Sequence, residues 1–470
     1  MPEILLINPP VSLEERYGKL APFGNTLPNL GLAYMAAFVR EQGVDVEIFD
    51  AAVLRFSVEK AARYAADKLP LLAGVTATTS GLDNAMALCA KIKQYAPDTN
   101  IVLGGAHITS MPERTLEKYR SIDYGVIGEG EHTLYELYGC INRNIVPESV
   151  KGLIFRHKGD IIKTEPRPYI ENLDSLPLPA WDLLPDLPTH YRPSPQSTPR
   201  LPSTILVSSR GCPYHCGFCD RSVYGNKYRT HSPERIFEMI EHLYRNYGIV
   251  DFAFHDEMFL LREKHIVQVC QHIIRSGFDL SWSCQGRGDT PVTDFGLRKM
   301  REAGCWQLQF GVESGSNDML RQMSKDVTTR QMAETIARCA ALGFSTKGFI
   351  MLGFPGETEE TLAETEEFIL SARLDDVMIG FFTPFPGAEA SRDVENYGRV
   401  IEGSHRWSDH FVSFVPETLT EKALYTARNR MYRKFYLRPH IIKSHAARLK
   451  NTSGTMGMAK TFMKFIKATR

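Results

Sequence analysis

At 470 residues the chain is about three times a typical domain length, which predicts two or three domains and excludes a small stapled scaffold. Hydrophobic residues at 43%, charged residues at 23% and a mean hydropathy of -0.23 belong to a globular chain, neither disordered throughout nor embedded in a membrane. The net charge of 0 hides an asymmetry: Glu421–Arg470 holds 13 Lys and Arg against one acid, so a tail of +12 follows a body of -12.

MPEILLINPP has a short apolar run and no basic segment, so it reads as a buried first strand rather than a signal peptide, and a cytoplasmic address is expected. No run reaches the roughly 18 apolar residues of a spanning helix. GLAYMAAFVREQG follows with helical spacing and Gly43 as its stop signal. Further strands are predicted in DVEIFDA (45–51), LLAGVTATT (71–79), NIVLGGAH (100–107) and YGVIGEGE (124–131), separated by helical segments. Such alternation predicts a parallel sheet with its ligands beyond the carboxyl ends of the strands, where small and Gly-rich loops lie. Residues 146–200 read as a connector: a hairpin in GLIFRHKGDIIKTE precedes nine prolines between Pro166 and Pro199. Strand and helix alternation resumes from STILVSS (203–209) through DFAFHDE, LSWSCQG, WQLQFGVES, STKGFIMLGF and DDVMIGFFTPF, six strand candidates that suggest a partial barrel over 201–395. Residues 396–470 read as a helical, basic C-terminal region.

Nine cysteines in a reducing compartment argue for metal binding or reactive thiols rather than a disulfide framework. Cys212, Cys216 and Cys219 form a C-x3-C-x2-C array directly after the first strand of the second domain. A zinc site needs a fourth ligand. An iron-sulfur cluster held by three cysteines leaves one iron open to a substrate or cofactor. Both remain open on spacing alone. The other six, Cys89, Cys140, Cys270, Cys284, Cys305 and Cys339, are scattered, and buried free thiols are expected for them, with Cys284 as the one candidate to face a site.

With Phe218 before its last cysteine, the array resembles the signature of the radical S-adenosylmethionine (SAM) enzymes. In that family a four-iron four-sulfur cluster chelates SAM at its open iron, and one electron releases a 5'-deoxyadenosyl radical that abstracts hydrogen from substrate. The resemblance extends to FHDEMF (254–259), CQGRGD (284–289), GVESGS (311–316), GFIMLGFPGET (348–358) and TPFPGAE (383–389), each at the end of a predicted strand. It implies SAM contacts from Asp256 and Glu257, a carboxylate contact from Arg287, ribose and carboxylate contacts from Glu313 and Ser314, and backbone approach to the adenine at Gly353, Pro355 and Gly356.

Residues 1–145 resemble the cobalamin-binding domains fused to radical SAM barrels, through Asn8–Pro10, Pro28–Tyr34, GVTATTS (74–80), GGAH (104–107) and GEGE (128–131). A corrin is flat and large, so Gly104, Gly105, Gly128 and the adjoining Glu129 become candidates on one side, with Thr76 and Ser80 near its lower face. No D-x-H-x2-G sequence follows the first strand, and His107 is not in that context, so a base-off cobalamin without a histidine ligand is expected. The implied fold is α/β: a Rossmann-like cobalamin-binding domain, then a partial (β/α)6 radical SAM barrel and a helical C-terminal region.

The nearest overall resemblance, including FYLRP (435–439), is to the group around anaerobic magnesium-protoporphyrin ester cyclase. It implies radical chemistry on an unactivated carbon of a small molecule or lipid, by methyl transfer or by oxidative cyclisation or ring rearrangement. An electron donor such as flavodoxin or ferredoxin is implied, and no nucleic-acid partner. Methylthiotransferases carry a second three-cysteine cluster in the first domain, where this chain has only Cys89 and Cys140. A cobalamin sensor has no use for the cysteine triplet. In the tail, MAKTFMKFIKATR (458–470) places Met458, Phe462, Phe465 and Ile466 on one helical stripe flanked by Lys460, Lys464, Lys467 and Arg470, which predicts peripheral contact with an anionic membrane.

Overall fold

The computed structural model describes residues 1–193, 198–401, 403 and 407–450, with Phe23 and 445–450 described in backbone only. The amphipathic helix predicted over 458–470 lies outside the described residues.

The first sheet has seven strands in the order β2-β1-β3-β4-β5-β6-β7. They are β1 (Ile4–Asn8), β2 (Val46–Asp50), β3 (Leu72–Thr76), β4 (Asn100–Gly104), β5 (Tyr124–Val126), β6 (Leu153–His157) and β7 (Asp160–Lys163). The first five run parallel, and their side chains are buried on both faces. Ile4 and Leu6 meet Ala33, Ala37 and Val39 of the helix Leu30–Glu41, whereas Leu5 and Ile7 meet Ala61, Ala65 and Leu88 on the other side. That double burial is why the strands read as continuous apolar runs rather than alternating ones.

One boundary differs from the sequence reading. The hairpin assigned to the connector belongs to the first sheet, because β6 pairs antiparallel with β5 and covers what was otherwise an open edge. The connector itself is a strap bonded to both halves. Ala180 N–H donates to the Ala33 carbonyl, Arg40 pairs with Asp182 at 2.6 Å, and Asp174 accepts from Ser232 N–H at 3.0 Å. Its apolar residues Leu173, Leu176, Trp181 and Leu187 join one buried cluster that runs from Ile4 to Ile441.

The second sheet is all parallel, in the order β15-β14-β13-β12-β11-β8. Its strands are β8 (Ser203–Leu206), β11 (Asp251–Phe254), β12 (Ser281–Arg287), β13 (Cys305–Glu313), β14 (Ser345–Leu352) and β15 (Asp376–Phe381), the six expected. Between β8 and β11 a two-stranded ribbon of β9 (Ser209–Arg210) and β10 (Arg229–Thr230) opens and closes the loop that carries the cysteine triplet. Two-residue strands leave no periodicity to read.

The open edge at β15 is capped by the helix Glu421–Tyr436. Tyr432 Oη accepts from Ile379 N–H at 2.8 Å, and Tyr436 Oη donates to the Val377 carbonyl at 3.0 Å, so the edge strand's polar groups find partners. The C-terminal region is not wholly helical: Gly398–Val400 and Phe414–Pro416 form a short antiparallel pair with Phe414 and Val415 buried.

Candidate functional site

At the carboxyl ends of β1, β3, β4 and β5 lies a cavity of about 110 Å³. Thr76, Gly104, Gly105, Gly128 and Glu129, all predicted, line it, together with Asn29, Gly31, Met35, Gly130 and Glu131. A Cβ built on Gly104 meets nothing within 4 Å, so this glycine leaves open space for a ligand. Gly105 is different. Its φ of 99° and a virtual Cβ only 2.7 Å from the Ala77 carbonyl make glycine a backbone requirement there. Ser80 lies outside the lining, exposed and bonded to Thr78 at 3.1 Å. His107 is buried, 3.2 Å from the Thr79 hydroxyl, and does not line the cavity.

The far wall of this cavity comes from the second domain: Arg210, Val223 and Tyr224, residues on either side of the cysteine triplet. Here Glu129 departs from its predicted role. Its carboxylate accepts from Arg210 at 2.8 Å, from Arg229 at 2.8 and 2.9 Å and from Ile170 N–H at 2.8 Å, all of it buried. With no lone pair to spare, it fastens the domains together.

The triplet sits on the loop between β9 and β10. Cys212 is half-buried, Cys216 buried and Cys219 exposed. Although Cys219 is exposed, desolvation by the protein around its thiol, with the Cys216 and Glu313 charges, pushes it up to about 12. Burial raises Cys212 and Cys216 as well. Among the described residues no three His, Cys, Asp or Glu side chains converge to hold one metal ion. Three thiols spread along a loop fit three corners of a cubane better than one tetrahedral zinc.

Around the thiols the strand ends behave unequally. Arg287, ending β12, lies 3.8 Å from the Tyr214 ring centroid and places Nη1 3.6 Å from Cys216 Sγ, while Asp289 takes its Nε at 2.9 Å. Glu313, ending β13 with a φ of 63°, accepts from Lys325 Nζ at 2.8 Å. Lys325 is a functional candidate that the sequence reading missed. It is buried, its charge lowers both Cys216 and Cys219, and it stands 5.6 Å from the Phe218 ring. No periodicity marks it, because it follows a short helix in a loop.

Glu257 is exposed and takes a hydrogen bond from Gly211 N–H, yet desolvation, helped by Asp256, pushes its carboxyl up to about 7. Asp256 itself is spent on structure. It accepts from Ser208 N–H at 2.7 Å and from the hydroxyls of Ser208 and Ser209 at 2.5 and 2.7 Å, holding the start of the cluster loop. Ser314 is likewise buried, bonded to Thr365 at 3.1 Å and to Ser316 N–H at 3.1 Å. Neither side chain is available to a ligand in this arrangement.

A second cavity, of about 170 Å³, lies between Phe218, Glu313 and the ends of β14 and β15. Phe349, Ile350, Met351, Met378, Phe382 and Thr383 give it apolar walls, and Asp409 reaches it from the C-terminal region. Gly353, Pro355 and Gly356 are absent from its lining. Gly353 and Gly356 have φ of 84° and 83°, and their virtual Cβ atoms meet Leu424 at 3.2 Å and Gln322 at 2.4 Å, so they serve the turn and its packing. Cys284 is fully buried in the apolar cluster on the helix side of β12, away from the cleft.

Family models match both halves: a B12 binding domain over residues 19–138 and the radical SAM superfamily over 206–369. An uncharacterized methyltransferase of Pyrococcus horikoshii is 30% identical over 442 residues, covering 94% of each chain. The chain belongs to the radical SAM superfamily and carries a B12-binding domain. The anaerobic magnesium-protoporphyrin IX monomethyl ester cyclase of Cereibacter sphaeroides is 27% identical over 427 residues, covering 89% of this chain and 68% of that one. The fold is shared with the radical SAM methyltransferase TsrM of Kitasatospora setae, at a TM-score of 0.72 and 16% identity over 94% of this chain and 90% of the other. Among the described residues of this radical SAM protein, no helix is long and apolar enough to cross a membrane.

Proposed function

We propose that this radical SAM enzyme transfers a methyl group to an unactivated carbon of a small organic molecule or lipid. The observation that carries the reading is the shared wall: Arg210, Val223 and Tyr224, flanking the cysteine triplet, close the glycine-lined cavity of the first domain. A cavity walled by residues that flank the cysteine triplet suits chemistry that uses both seats. When bound, the cluster and SAM supply a 5'-deoxyadenosyl radical, and cobalamin supplies a transferable methyl group.

The chain's own residues divide the remaining work. Cys212, Cys216 and Cys219 would hold the cluster through three of its irons, and because burial keeps these thiols protonated, loading would release protons. Lys325 and Arg287 put two buried cations beside Cys216, suited to a carboxylate and to the charge of the thiolates. Glu257 stands by Gly211 to accept from an ammonium group, and Phe218 with Phe349 to Met351 forms an apolar bed for a purine. Gly104 and Gly128 leave room for a flat macrocycle. The relative from Kitasatospora setae was solved with cobalamin and a 4Fe-4S cluster bound, which supports the same assignment. Flavodoxin or ferredoxin is the class of electron donor.

Oxidative cyclisation without methylation is the second reading, favoured by the cyclase relative. Anaerobic turnover with methyl-labelled SAM separates the two. Label in the product supports methylation, and a product lighter by hydrogen with no label overturns it. Peripheral membrane contact through the basic tail is a separate proposal, tested by liposome co-sedimentation of the full chain against one ending at Asn451.

A further inference from the structure

The loop that carries the three cysteines is held at both its ends by one feature of the first domain. Arg210 and Arg229 are register partners in the β9–β10 ribbon, so one guanidinium stands just before the loop and the other just after it. Both reach Glu129: Arg210 Nη1 at 2.8 Å, and Arg229 Nη1 at 2.8 and 2.9 Å. Arg210 spends its other arm on Glu131, with Nη2 2.7 Å from Oε1. Neither carboxylate is remote from the first cavity, since Gly128 to Glu131 form part of its lining.

Several details make this junction stiff. All four charged residues are buried, at 4 to 6% exposure, so none can trade a partner for water. Arg210 lies between the rings of Tyr34 and Tyr224, 5.4 and 5.3 Å from their centroids, and Tyr224 also lines the cavity. Between Arg210 and Cys212 stands only Gly211, whose φ is 86° and whose virtual Cβ lies 2.3 Å from the Lys227 carbonyl oxygen, leaving no slack to absorb a shift. One atom points to a missing ligand. Glu131 Oε2 is buried without a hydrogen-bond partner, in a side chain that lines the cavity, and a ligand rimmed with amide N–H groups would supply the donor.

We propose that Arg210 is a positioning residue that makes filling of the first-domain cavity and seating of the cysteine loop one coupled equilibrium. The proposal rests on the reading that these two seats take cobalamin and the iron-sulfur cluster. An occupant that engages Glu131 and presses on Gly128 to Gly130 and Tyr224 fixes both carboxylates. Those carboxylates fix Arg210 and Arg229, and the two arginines set the ends of the loop from which the thiols project. By linkage the effect is reciprocal: a loaded cluster loop tightens the grip on cobalamin by the same factor as cobalamin tightens the loop.

The test is the affinity of the full-length protein for hydroxocobalamin, measured by equilibrium dialysis under anaerobic conditions, with the cluster reconstituted and with it removed by chelation. The C212A/C216A/C219A chain is the second cluster-free form. In the parent the two affinities should differ by about tenfold, a coupling of ordinary size. In Arg210→Met the ratio should fall most of the way to one, with Arg229 still joining Glu129 to the far end of the loop, and in Arg210→Lys it should fall less, because a point charge cannot bridge two carboxylates as a planar fork does. Glu131→Gln keeps the shape and removes the charge, so it carries the test should Arg210→Met fail to fold as judged by circular dichroism, and its ratio should be reduced. A ratio of one in the parent, or an unchanged ratio in Arg210→Met or in a folded Glu131→Gln, overturns the proposal while leaving the assignment of both cofactors intact. A parent that binds no hydroxocobalamin at all overturns the functional reading as well.

Discussion

Around the first-domain cavity the decisive positions are those where a side chain is missing, whereas around the cysteine loop they are those where one particular functional group is present. Gly104 and Gly128 leave open space in the cavity, and Gly105 lets the backbone turn beside it. Cys212, Cys216 and Cys219 supply sulfur on one loop, with Arg287 3.6 Å from Cys216 and the Lys325 charge acting on Cys216 and Cys219. Substitutions therefore ought to fail in different ways, by steric exclusion on one side and by lost chemistry on the other, with the junction between them failing through buried charge.

The largest effect is expected at the thiols. Replacing Cys212, Cys216 and Cys219 together by alanine should abolish iron binding and reduce deoxyadenosine formation from SAM to background, read by iron analysis and chromatography, with circular dichroism unchanged. Next comes the junction. Glu129→Ala leaves two buried guanidinium groups short of a carboxylate and should cost about 3–5 kcal/mol in urea unfolding, whereas Glu129→Gln, which keeps some hydrogen bonds, should cost less.

Two neighbouring glycines sharpen the contrast further. Gly104→Leu points into open space, so the fold should stay within a few degrees of the parent in Tm while cobalamin affinity falls about 10- to 100-fold, the equivalent of a 1–3 kcal/mol overpacking penalty. Gly105→Ala should instead lose about 1–3 kcal/mol of stability from its left-handed backbone and its clash with Ala77. A result in which both variants lose affinity and stability equally would erase the distinction drawn between them.

The smallest effect is far from both sites. Asp251 starts β11, bonded to Ser281 Oγ at 2.5 Å and Ser203 Oγ at 2.9 Å, and burial pushes its carboxyl from the ordinary 3.8 up to about 7. The fold holds the protonated form more tightly than the unfolded chain does. That contribution is fully present below about pH 4 and is lost as pH rises through 7. Asp251→Asn has no proton to lose, so its Tm relative to the parent should rise as pH goes from 5 to 8. A constant difference across that range would show that Asp251 is not the titrating group.

Much of this protein was legible before any coordinates, and unevenly so. The parallel strands of both halves read directly because each is a compact apolar run buried on two faces, and the cysteine triplet read because its ligands lie within eight residues of one another. Motif position did not reveal side-chain direction. Asp256 and Ser314 lie where the strand ends meet the cleft, yet their polar atoms are consumed by Ser208, Ser209 and Thr365. Glu129 was read as a ligand contact from its Gly-rich setting and is an interdomain ion-pair partner.

The sequence alone determined the order of the domains, the long parallel strands, the cysteine array and the glycine loops, because each of these depends on residues close together in the chain. Only the tertiary structure decided that Arg210 and Arg229, 19 positions apart, share a carboxylate more than 80 residues away, that Lys325 reaches Glu313 beside the thiols, and that tyrosines of the helix Glu421–Tyr436 close the edge of the sheet. Those pairings leave no local pattern. They exist because buried charges and unpaired edge groups must find partners wherever the packed chain brings one within reach.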